Sequence, residues 1–392
     1  MTQVQQLPIH MQRNGFDPAP ELGMLRERPG IAGVKTPLGL SAWLVTRYAD
    51  VREVLADAAT FASGIRPAGL PGLAPGGNEG SLLASDPPEH TRLRKLLSSE
   101  FTVRQVRRLE PRITAIVDEH LDAMEQAGPP ADLVASFALP VPSLVICELL
   151  GVPYADRAAF QSRAGRQLDI SLGIEERMKA GAESRAYMTE LVARTRLEPG
   201  EDLLGMLVRE HGHDLTTGEL VGIAGLLLIA GHETTANTLG LGTLALLRNP
   251  EQLALMRDRP DLTETAVDEV LRYLSVVHSG MPRVATVDTE IAGQPIAAGD
   301  IVVVSLPAAN RDTALGDHLE ELDLTRAVTR HVAFGHGVHH CIGAPLARTE
   351  LRIAFPALLR RFPGLALHDP NAEIDFRSYN VVYGVRSLPV TW

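Results

Sequence analysis

The sequence predicts a mainly α-helical protein with a small β-rich lobe. Apolar residues recur at helical spacing along most of the chain, whereas strand-like patterns are short and cluster over 41–65 and 283–305. The run at 217–248 is apolar on nearly all sides, which is typical of a helix buried at the centre of a large fold. No Ser/Gly/Pro-rich linker separates two halves, so we expect a single domain over 1–392, with 1–40 as an N-terminal extension within it.

The remaining elements follow in order along the chain. A strand beginning at 41 runs into a helix over 50–58, and a loop rich in Gly and Pro spans 62–85. Loops of this length are uncommon inside compact domains and are typical of functional segments such as a mobile entrance. Further helices are predicted over 88–126, 140–150, 153–170, 174–196, 200–210, 217–248, 250–257 and 262–275, and a second strand-rich patch over 366–392.

Composition narrows the functional classes. The chain has 392 residues, of which 45% are hydrophobic and 22% charged, which is enough to bury a large core. Its formal net charge of −11 argues against nucleic-acid binding. Cys147 and Cys341 are the only cysteines, so we expect no disulfide framework and a reducing, cytoplasmic location. Residues 1–20 contain no apolar signal segment, so we expect no membrane partner.

The centre of the 217–248 helix interrupts its apolar pattern. The segment Ala230-Gly231-His232-Glu233-Thr234-Thr235 places an acid and an alcohol where a core helix is normally aliphatic. Gly231 permits a close approach to the backbone, and the Thr234 hydroxyl can donate to the Ala230 carbonyl four residues earlier. A flat ligand in this groove would lie beside groups that can deliver protons. The alternative is a kinked helix with a buried, paired glutamate.

A second segment, Phe334 to Gly343, holds Cys341 in a glycine-rich turn that runs directly into a predicted helix over 344–362. The N–H groups of such a turn and the positive end of the following helix dipole both favour a thiolate over a thiol. A thiolate on a rigid, dry turn is a strong axial ligand for haem iron. The alternative for a single cysteine is a buried side chain that packs as a small hydrophobe, which we predict for Cys147.

Three further patterns are weak when taken singly. His90 and Arg94 lie at i and i+4, so both can contact one carboxylate. Glu269 and Arg272 lie at i and i+3, a spacing that is common on any surface helix. The stretch from Arg92 to Arg112 is strongly basic, which suits either a docking site for an acidic partner or an ordinary solvated helix face.

Taken together and in this order, these motifs resemble those of bacterial cytochrome P450s, from about Trp43 to the C-terminus. The resemblance implies the family fold, a triangular, mainly α-helical prism with a long central helix over the haem. It implies haem b as the cofactor, with Cys341 as the metal ligand, and Glu233 and Thr234 as the catalytic acid–alcohol pair that delivers protons to dioxygen. The other cofactor-binding residues that it implies are His90, Arg94, Ala230, Gly231, Arg283, Phe334, His339 and Gly343.

The resemblance also implies an internal ion-pair network that holds the cysteine loop in place, formed by Glu269, Arg272 and Arg311. The activity that it implies is a monooxygenase that hydroxylates or epoxidises an apolar small molecule of the secondary-metabolite type with O2. Two alternatives remain open at this stage, a haem-thiolate peroxygenase that uses peroxide directly and a non-catalytic haem sensor.

Electrons for such a monooxygenase would come from a separate ferredoxin and ferredoxin reductase. The candidate docking site is the basic stretch from Arg92 to Arg112 together with Arg348 and Arg352. We expect the protein to be a monomer.

Overall fold

The computed structural model describes residues 7–64, 79–327 and 330–392, and most of this chain is helical, as predicted. The helices are α1 (Pro20–Glu27), α2 (Tyr48–Ala56), α3 (Glu89–Ser98), α4 (Val103–Ala127), α5 (Pro140–Leu150), α6 (Arg157–Leu168), α7 (Ile174–Leu197), α8 (Leu203–His211), α9 (Thr217–Leu247), α10 (Pro250–Asp258), α11 (Thr263–Leu274), α12 (Leu306–Ala309) and α13 (Ala344–Arg361).

The strands are short. They are β1 (Arg13–Asn14), β2 (Asp17–Pro18), β3 (Ala32–Lys35), β4 (Ser41–Val45), β5 (Phe61–Ala62), β6 (Ala131–Asp132), β7 (Met281–Ala285), β8 (Thr289–Ile291), β9 (Gln294–Ile296), β10 (Ile301–Val304), β11 (Ala366–Leu367) and β12 (Pro389–Thr391). The largest sheet has the order β3-β4-β10-β7-β5, in which β4 and β10 are parallel, with Val302 opposite Trp43, and the other pairs are antiparallel. The two strand-rich parts predicted from the sequence therefore share this sheet through β4, β5, β7 and β10, whereas β8 and β9 form a separate two-stranded sheet.

Helix α9 is the centre of the fold, as the apolar run predicted. Its first turn has a capping box, in which Thr216 Oγ1 accepts from the Glu219 N–H at 3.0 Å and the Glu219 carboxylate accepts from the Thr216 N–H at 2.8 Å. Helices α5, α7, α11 and α13 pack against α9. Because α9 is surrounded in this way, apolar residues on all its faces are buried, and its central polar residues are held inside the protein.

The helix predicted over 88–126 is wrong at one point, since it consists of two helices, α3 and α4. The chain turns at 99–102, and Thr102 begins the second helix because its Oγ1 accepts from the Gln105 N–H at 3.4 Å. The turn also places the Phe101 ring against the interior. The other predicted helices agree with the structure within a few residues at their ends.

Two predicted segments need comment. Within 366–392, all of which the structure describes, β11 and β12 are the strands, and the rest forms turns and isolated bridges, so the predicted strand-rich patch is mostly wrong. Asp, Asn and Pro residues favour turns over a continuous ladder there. Of the predicted loop 62–85, residues 65–78 lie outside the described residues, and Leu82–Ala84 forms a single 3-10 turn.

The main core lies between the helices, and two smaller ones lie on the two faces of the largest sheet. Cys147 belongs to the main core, with 2% of its surface exposed, which confirms the packing role predicted for it. Burial raises the pKa of the Cys147 thiol to about 12, so this side chain remains a neutral thiol at physiological pH.

Candidate active site

Helix α9 and the cysteine loop face each other across a cavity of about 270 Å³. Residues between 226 and 238 form one wall, and residues between 333 and 343 form the opposite wall. The remaining sides are closed mainly by apolar side chains, among them Leu82, Leu83, Phe101, Ile146, Val276 and Met281. A concave, mostly apolar cavity with a few convergent polar groups is the usual form of a small-molecule site.

The loop that presents Cys341 has a rigid backbone. The Cys341 N–H donates to the Phe334 carbonyl at 2.9 Å. Gly335 and Gly337 have φ values of +71° and +69°, a region that residues with a side chain rarely adopt. A Cβ at Gly337 would also overlap the Leu55 carbonyl oxygen of α2, so the loop packs directly on a helix backbone. The glycine-rich turn predicted around the cysteine is confirmed.

The Cys341 sulfur lies deep among protein atoms and yet faces the open cavity, so a ligand can reach it. Burial raises the pKa of the Cys341 thiol above its ordinary value, and this is the largest effect on it. The N–H groups of Gly343 and Ala344 lower that pKa, as do two nearby arginines. The turn and the helix end therefore lower the pKa of Cys341, as predicted, but burial raises this pKa by more than they lower it. A positively charged ligand at the sulfur, such as haem iron, would supply the remaining stabilisation of the thiolate.

Basic side chains gather at one edge of this cavity. His90, Arg94 and His339 line it, and Arg283 lies close enough to His339 to influence its charge. The His90 and His339 ring centroids are 4.3 Å apart. Both ring nitrogens of His90, Nε2 of His339 and Nη2 of Arg283 are buried without a hydrogen-bond partner among the described residues. Because buried donors are rarely unpaired, this edge is suited to a ligand with several acceptor oxygens.

The charges at this edge fit a carboxylate ligand. Burial, followed by the charge of Arg283, lowers the pKa of His339 to about 4, so this imidazole is neutral at pH 7. Burial lowers the pKa of Arg283 to about 10, so its guanidinium stays positive. Arg94 also donates from Nη2 to the His340 carbonyl at 2.7 Å, which anchors it to the cysteine loop. Two cations and two neutral imidazoles with free nitrogens fit the pair of propionate carboxylates on a haem.

At the centre of α9, the predicted side-chain contact is present, but the helix is continuous there and shows no break. The Thr234 hydroxyl donates to the Ala230 carbonyl at 2.7 Å, as predicted, and Thr234 lines the cavity opposite the cysteine loop. Gly231 also lines the cavity, but the group that approaches it most closely is Ile146 of α5, whose Cδ1 would lie 2.9 Å from an added Cβ. The glycine is therefore required by helix packing as well as by the shape of the cavity.

Glu233 faces a different part of the molecule. It does not appear among the residues that line the first cavity but lines a second one on the other side of α9, of about 260 Å³. Its Oε2 accepts from Arg377 Nη1 at 2.9 Å, and 3% of Glu233 is exposed. Burial by itself raises the pKa of Glu233, but the neighbouring His232 and Arg377 outweigh it and lower that pKa to about 2. Glu233 is therefore an ionised, paired carboxylate in this structure.

The predicted ion-pair network is present with a different third member. Glu269 binds Arg272 through both carboxylate oxygens, at 2.7 and 2.8 Å. Arg272 also donates to the Asn310 carbonyl at 2.8 Å, and Asn310 Oδ1 accepts from the Val332 N–H at 2.7 Å, just before the cysteine loop. This chain of contacts ties the buried pair to the loop.

The prediction that Arg311 completes this network is wrong. Arg311 donates to the carbonyls of Leu319 and Tyr273 and has no contact with Glu269. The second cation on the Glu269 carboxylate is Arg326, whose Nε lies 3.1 Å from Oε1. Arg326 reaches Glu269 because of the path of residues 317–323. Arg326 donates to the carbonyls of Asp317 and His318, and the Asp323 N–H donates to Glu269 Oε1. The local sequence pattern does not indicate this path.

The predicted basic stretch is only partly a surface. Arg92 is paired with Glu89 and Glu219, Arg94 points to the cavity, and Arg112 is paired with Glu148. The exposed arginines of α4, Arg104, Arg107 and Arg108, form no ion pair in the part of the chain that the structure describes. Arg107 and the exposed Val103 border a shallow groove whose far side is formed by Arg348 and Arg352, each paired with an acid.

Sequence reasoning missed Arg377 and Glu350. Arg377 lies 144 residues from Glu233 along the chain, so no local pattern could connect them. Glu350 lies one turn after Leu346 on the buried face of α13, lines the first cavity, and leaves Oε2 without a partner among the described residues. Burial raises the pKa of Glu350 well above its ordinary value, so this acid is neutral. An acid on an apolar helix face was the signal that could have identified it.

A long central helix on one wall of an apolar cavity and a cysteine on the other wall is an arrangement that fits a haem-thiolate enzyme. Comparison with known proteins agrees: residues 190–373 match the family model for cytochrome P450. The chain is 48% identical to cytochrome P450 FAS1 of Rhodococcoides fascians, over 98% of each protein. It is 44% identical to pentalenic acid synthase of Streptomyces avermitilis, over 96% of this chain and 95% of that protein. The chain belongs to the cytochrome P450 family.

Solved structures show the same fold. The sequence of P450 StaH from glycopeptide antibiotic A47934 biosynthesis is 47% identical to this chain. Its solved structure superposes with a TM-score of 0.88, over 99% of this chain and 100% of the StaH chain. CYP105P1 in complex with filipin I is 43% identical, covers 97% of each chain and has a TM-score of 0.92. The predicted cytochrome P450 fold is confirmed.

Membership of the family establishes an enzyme, a cytochrome P450 monooxygenase that uses haem, O2 and redox partners. Similar proteins include a mycinamicin IV hydroxylase/epoxidase from Micromonospora griseorubida, at 40% identity over 97% of this chain and 96% of that protein. Among the described residues, no helix has both the length and the apolar character that a membrane span requires.

Proposed function

We propose that this P450 hydroxylates or epoxidises an uncharged, apolar small molecule of the secondary-metabolite type. The observation that carries the proposal is the apolar cavity with Cys341 on one wall and Thr234 on the other. The named activities of similar proteins, among them pentalenic acid synthase, nocardicin C N-oxygenase and mycinamicin IV hydroxylase/epoxidase, support this substrate class.

The proposed cofactor is haem b, with Cys341 as the ligand of its iron. Covalent attachment through thioether bonds would need further cysteines near the haem, and the sequence has only Cys147, which is buried in α5. His90, Arg94, Arg283 and His339 would hold the propionates. The residues that would lie against the macrocycle are Ala230, Gly231, Phe334 and Gly343.

When bound, the haem supplies the chemistry of O2 activation, and thiolate ligation favours O–O cleavage. The residues of the protein would exclude water, orient the substrate and deliver protons. The apolar walls would exclude water and orient the substrate, since Leu82, Val276 and Met281 offer surface without hydrogen-bonding groups. Thr234 would hold a proton donor at the cavity wall through its hydroxyl, and Glu233 would supply protons to that position from the other side of α9.

The absence of charge on the substrate wall supports an uncharged substrate. Among the described residues that line the cavity, the ionisable groups are Cys341, Arg94, Glu350 and histidines, and Arg94 and Glu350 lie on elements next to the cysteine loop. The wall formed by the Leu82–Leu83 turn, α9 and Val276–Met281 presents only threonine hydroxyls as polar groups. A charged substrate would have no partner there and would bear a large desolvation cost.

We further propose a ferredoxin as the electron donor, docked on a basic surface formed by Arg104, Arg107 and Arg108 of α4. This surface borders the groove at Arg348, whose charge acts on the Cys341 thiol, so it lies on the side of the cysteine. Rates of reduction should therefore fall as salt rises, because exposed charges are screened within about 10 Å at 0.1 M. Arg107→Glu should slow reduction, whereas Lys35→Glu, an equal charge reversal on the edge strand β3, should not.

The first experiment is the absorption spectrum of the haem-loaded, dithionite-reduced protein under carbon monoxide. A strongly red-shifted Soret band is expected for wild type, and Cys341→Ser should lose it. Cys147→Ala is the matched control and should retain it, since Cys147 lies in the main core. A Soret band at the position of histidine-ligated haem in wild type would refute the ligand assignment.

The second experiment separates the monooxygenase from a peroxygenase. Candidate substrates selected by their binding spectra are incubated with NADPH, a ferredoxin and its reductase, or with hydrogen peroxide alone. Product formed only with the electron-transfer proteins supports the proposal. Product formed equally well with peroxide alone would favour the peroxygenase.

A further inference from the structure

Both ends of the chain close around the segment 275–281, which forms part of the wall of the first cavity. Val276, Val277 and Met281 of this segment line the cavity. Its first residue, Ser275, has a φ of +41°, in the left-handed region that residues with a side chain rarely adopt. Such a conformation persists only where the surrounding structure holds it. The contacts that hold Ser275 therefore decide where this part of the wall begins.

Arg13 holds Ser275 from the N-terminal hairpin that β1 and β2 form. Its Nη2 donates to the Ser275 carbonyl and its Nη1 to the Leu274 carbonyl, each at 2.7 Å. Helix α11 ends at Leu274, so these carbonyls lie at its C-terminus, where no further helical N–H groups are available to them. The helix dipole also favours a positive charge at this end. Arg13 therefore caps α11 at the point where the segment 275–281 begins.

The partners of Arg13 show that it is held for its geometry. Burial lowers the pKa of Arg13 to about 10, so its guanidinium is positive at pH 7. Over the ranges of the chain that the structure describes, it lies within ion-pair distance of no carboxylate. Its other contacts are the Phe16 carbonyl of the same hairpin, at 3.1 Å, and the ring of Tyr383, whose centroid lies 4.7 Å from Cζ. The planar fork of an arginine suits two neighbouring carbonyls, which a lysine cannot bond in the same way.

The C-terminal part of the chain holds the same segment from another side. The Tyr383 N–H donates to the Val276 carbonyl at 2.7 Å. His278 Nε2 donates to the Asn380 carbonyl, also at 2.7 Å, and the His278 ring lies 5.1 Å from that of Tyr383. The Tyr383 hydroxyl donates to the Gly15 carbonyl of the N-terminal hairpin at 2.7 Å. Tyr383 therefore joins the hairpin, the C-terminal part of the chain and the cavity wall.

The far end of the segment is fixed by close packing. Gly280 has a φ of +78°, and a Cβ there would lie 2.3 Å from Cγ1 of Val303 in β10 and 3.3 Å from the His10 ring. His10 Nε2 also donates to the Ser279 carbonyl at 3.1 Å. This end is therefore enclosed between the sheet and the N-terminal part of the chain. The start of the segment has no such enclosure by a glycine contact, so its position depends on the cap that Arg13 provides.

We propose that Arg13 is a positioning residue for substrate selectivity, which caps α11 from the N-terminal hairpin and so fixes Val276 and Val277 in the cavity wall. The proposal rests on the proposed function, in which apolar side chains of this wall orient the substrate. Arg13 does not line the cavity, so it acts through the backbone of 275–281. Without the guanidinium, Ser275 can leave the left-handed region, and the two residues that follow it shift in the wall. The N-terminal hairpin would thus influence which substrates bind without touching them.

Two ligands of different size test the selectivity role on haem-loaded protein. Imidazole binds iron through its ring nitrogen, and 4-phenylimidazole adds a phenyl ring that must pack in the apolar cavity. Both affinities are measured from the shift of the Soret band, and their ratio is compared between variants. In Arg13→Met, we expect the preference for the phenyl ligand to fall at least about fourfold, the effect of losing about one methylene of apolar contact. A general loss of stability lowers the amount of haem-loaded protein but leaves this ratio unchanged.

Three further variants make the ligand test specific. Arg47→Met is the matched control, because Arg47 also bonds two carbonyls, those of Arg28 and Gly30, and none of the three lines the cavity. It should leave the ratio of affinities unchanged. Arg13→Lys keeps the charge but not the planar fork, so it should recover only part of the preference. Tyr383→Phe, which loses the bond to the hairpin, should shift the ratio in the same direction by a smaller factor, and it tests the proposal even if Arg13→Met does not fold.

Amide hydrogen exchange tests the position of the wall without any added ligand. Amides within 275–281 should exchange at least about tenfold faster in Arg13→Met than in wild type, because two hydrogen bonds from a charged group are lost there. Amides in the middle of α9 should exchange at the wild-type rate, since local opening depends on local contacts. Arg47→Met should leave exchange within 275–281 unchanged.

The outcomes separate this inference from the proposed function. Unchanged exchange within 275–281 in Arg13→Met would overturn the positioning of the wall by this residue. Faster exchange with an unchanged ratio of the two affinities would overturn its role in selectivity, as would an equal change of that ratio in Arg47→Met. The proposed function itself fails on other results, namely the absence of the red-shifted carbon monoxide spectrum or of any oxidised substrate, and the exchange measurement requires neither.

Discussion

The buried carboxylate of Glu269 offers the sharpest quantitative test of how the cysteine loop is supported. Two cations contact it, Arg272 at 2.7 Å and Arg326 at 3.1 Å. Arg311 lies near Arg272 and shares the Leu319 carbonyl with it, but does not touch the acid. The perturbation is therefore a set of three replacements, Arg272→Met, Arg326→Met and Arg311→Met, each made alone and in combination with Glu269→Gln.

The structure sets the expected magnitudes. Arg272 is fully buried and uses its N–H groups on Glu269 and on the carbonyls of Asn310, Leu319 and Glu321. Its loss should cost about 3–5 kcal/mol, because it leaves a buried charge with one partner fewer. The Arg326 side chain is 14% exposed and leaves the Arg272 pair intact, so its loss should cost about 1–3 kcal/mol.

The assay is denaturant unfolding at equal haem occupancy, from which a coupling energy with Glu269→Gln is calculated for each arginine. We expect a coupling of about 1–3 kcal/mol for Arg326, which contacts the carboxylate, and a smaller one of about 0.5 kcal/mol for Arg311, which is linked to Glu269 only through Arg272 and the Leu319 carbonyl. Arg311→Met can still destabilise the protein through loss of its own contacts. This loss is the same with and without Glu269→Gln, so it cancels in the coupling energy. A coupling for Arg311 equal to that for Arg326 would refute the assignment of Arg326 as the third member of the network.

Three further predictions concern local features of the fold. Burial lowers the pKa of His10 to about 4, so the unfolded chain binds one more proton than the folded protein between pH 6.5 and 4. The free energy of unfolding therefore falls as the pH falls through that window. His10→Gln should remove about 3 kcal/mol of this loss when unfolding is measured at both pH values. Gly231→Ala should lower the melting temperature by contact with Ile146, and adding Ile146→Val, which removes the Cδ1 contact at 2.9 Å but keeps Cγ1 at 3.0 Å, should recover part of the loss; no recovery in the double variant would contradict the packing role. Thr102→Ala should cost about 1 kcal/mol, and Thr102→Asp should retain the cap; equal losses in both variants would rule out capping by the side-chain oxygen.

Much of the candidate site could be predicted because its parts are local. The turn around Cys341 depends on Gly335 and Gly337, which are within six residues of it, and on the helix that follows. The Thr234 hydroxyl reaches a carbonyl four residues earlier on the same helix. Such features need only the local backbone, whose conformation the residue types strongly restrict.

The incorrect predictions made from the sequence also share one cause. The sequence analysis assigned Arg311 to the Glu269 network, whereas the path of residues 317–323 in the structure brings Arg326 to that carboxylate. The basic stretch from Arg92 to Arg112 looks uniform in sequence, but Arg92 and Arg112 meet acids from α9 and α5. Whether a charged side chain is paired depends on which distant segment packs beside it.

By itself, the sequence determined the class of fold, the central helix, the cysteine turn and the residue types that can hold a haem. Periodicity, capping and glycine-dependent turns act over a few residues, so they are legible without coordinates. Only the tertiary structure decided that Glu233 and Thr234 face separate cavities and that Arg377 holds the acid from 144 residues away. Helix rotation and the docking of the C-terminal turn set these relations, and both depend on packing among segments far apart in the chain.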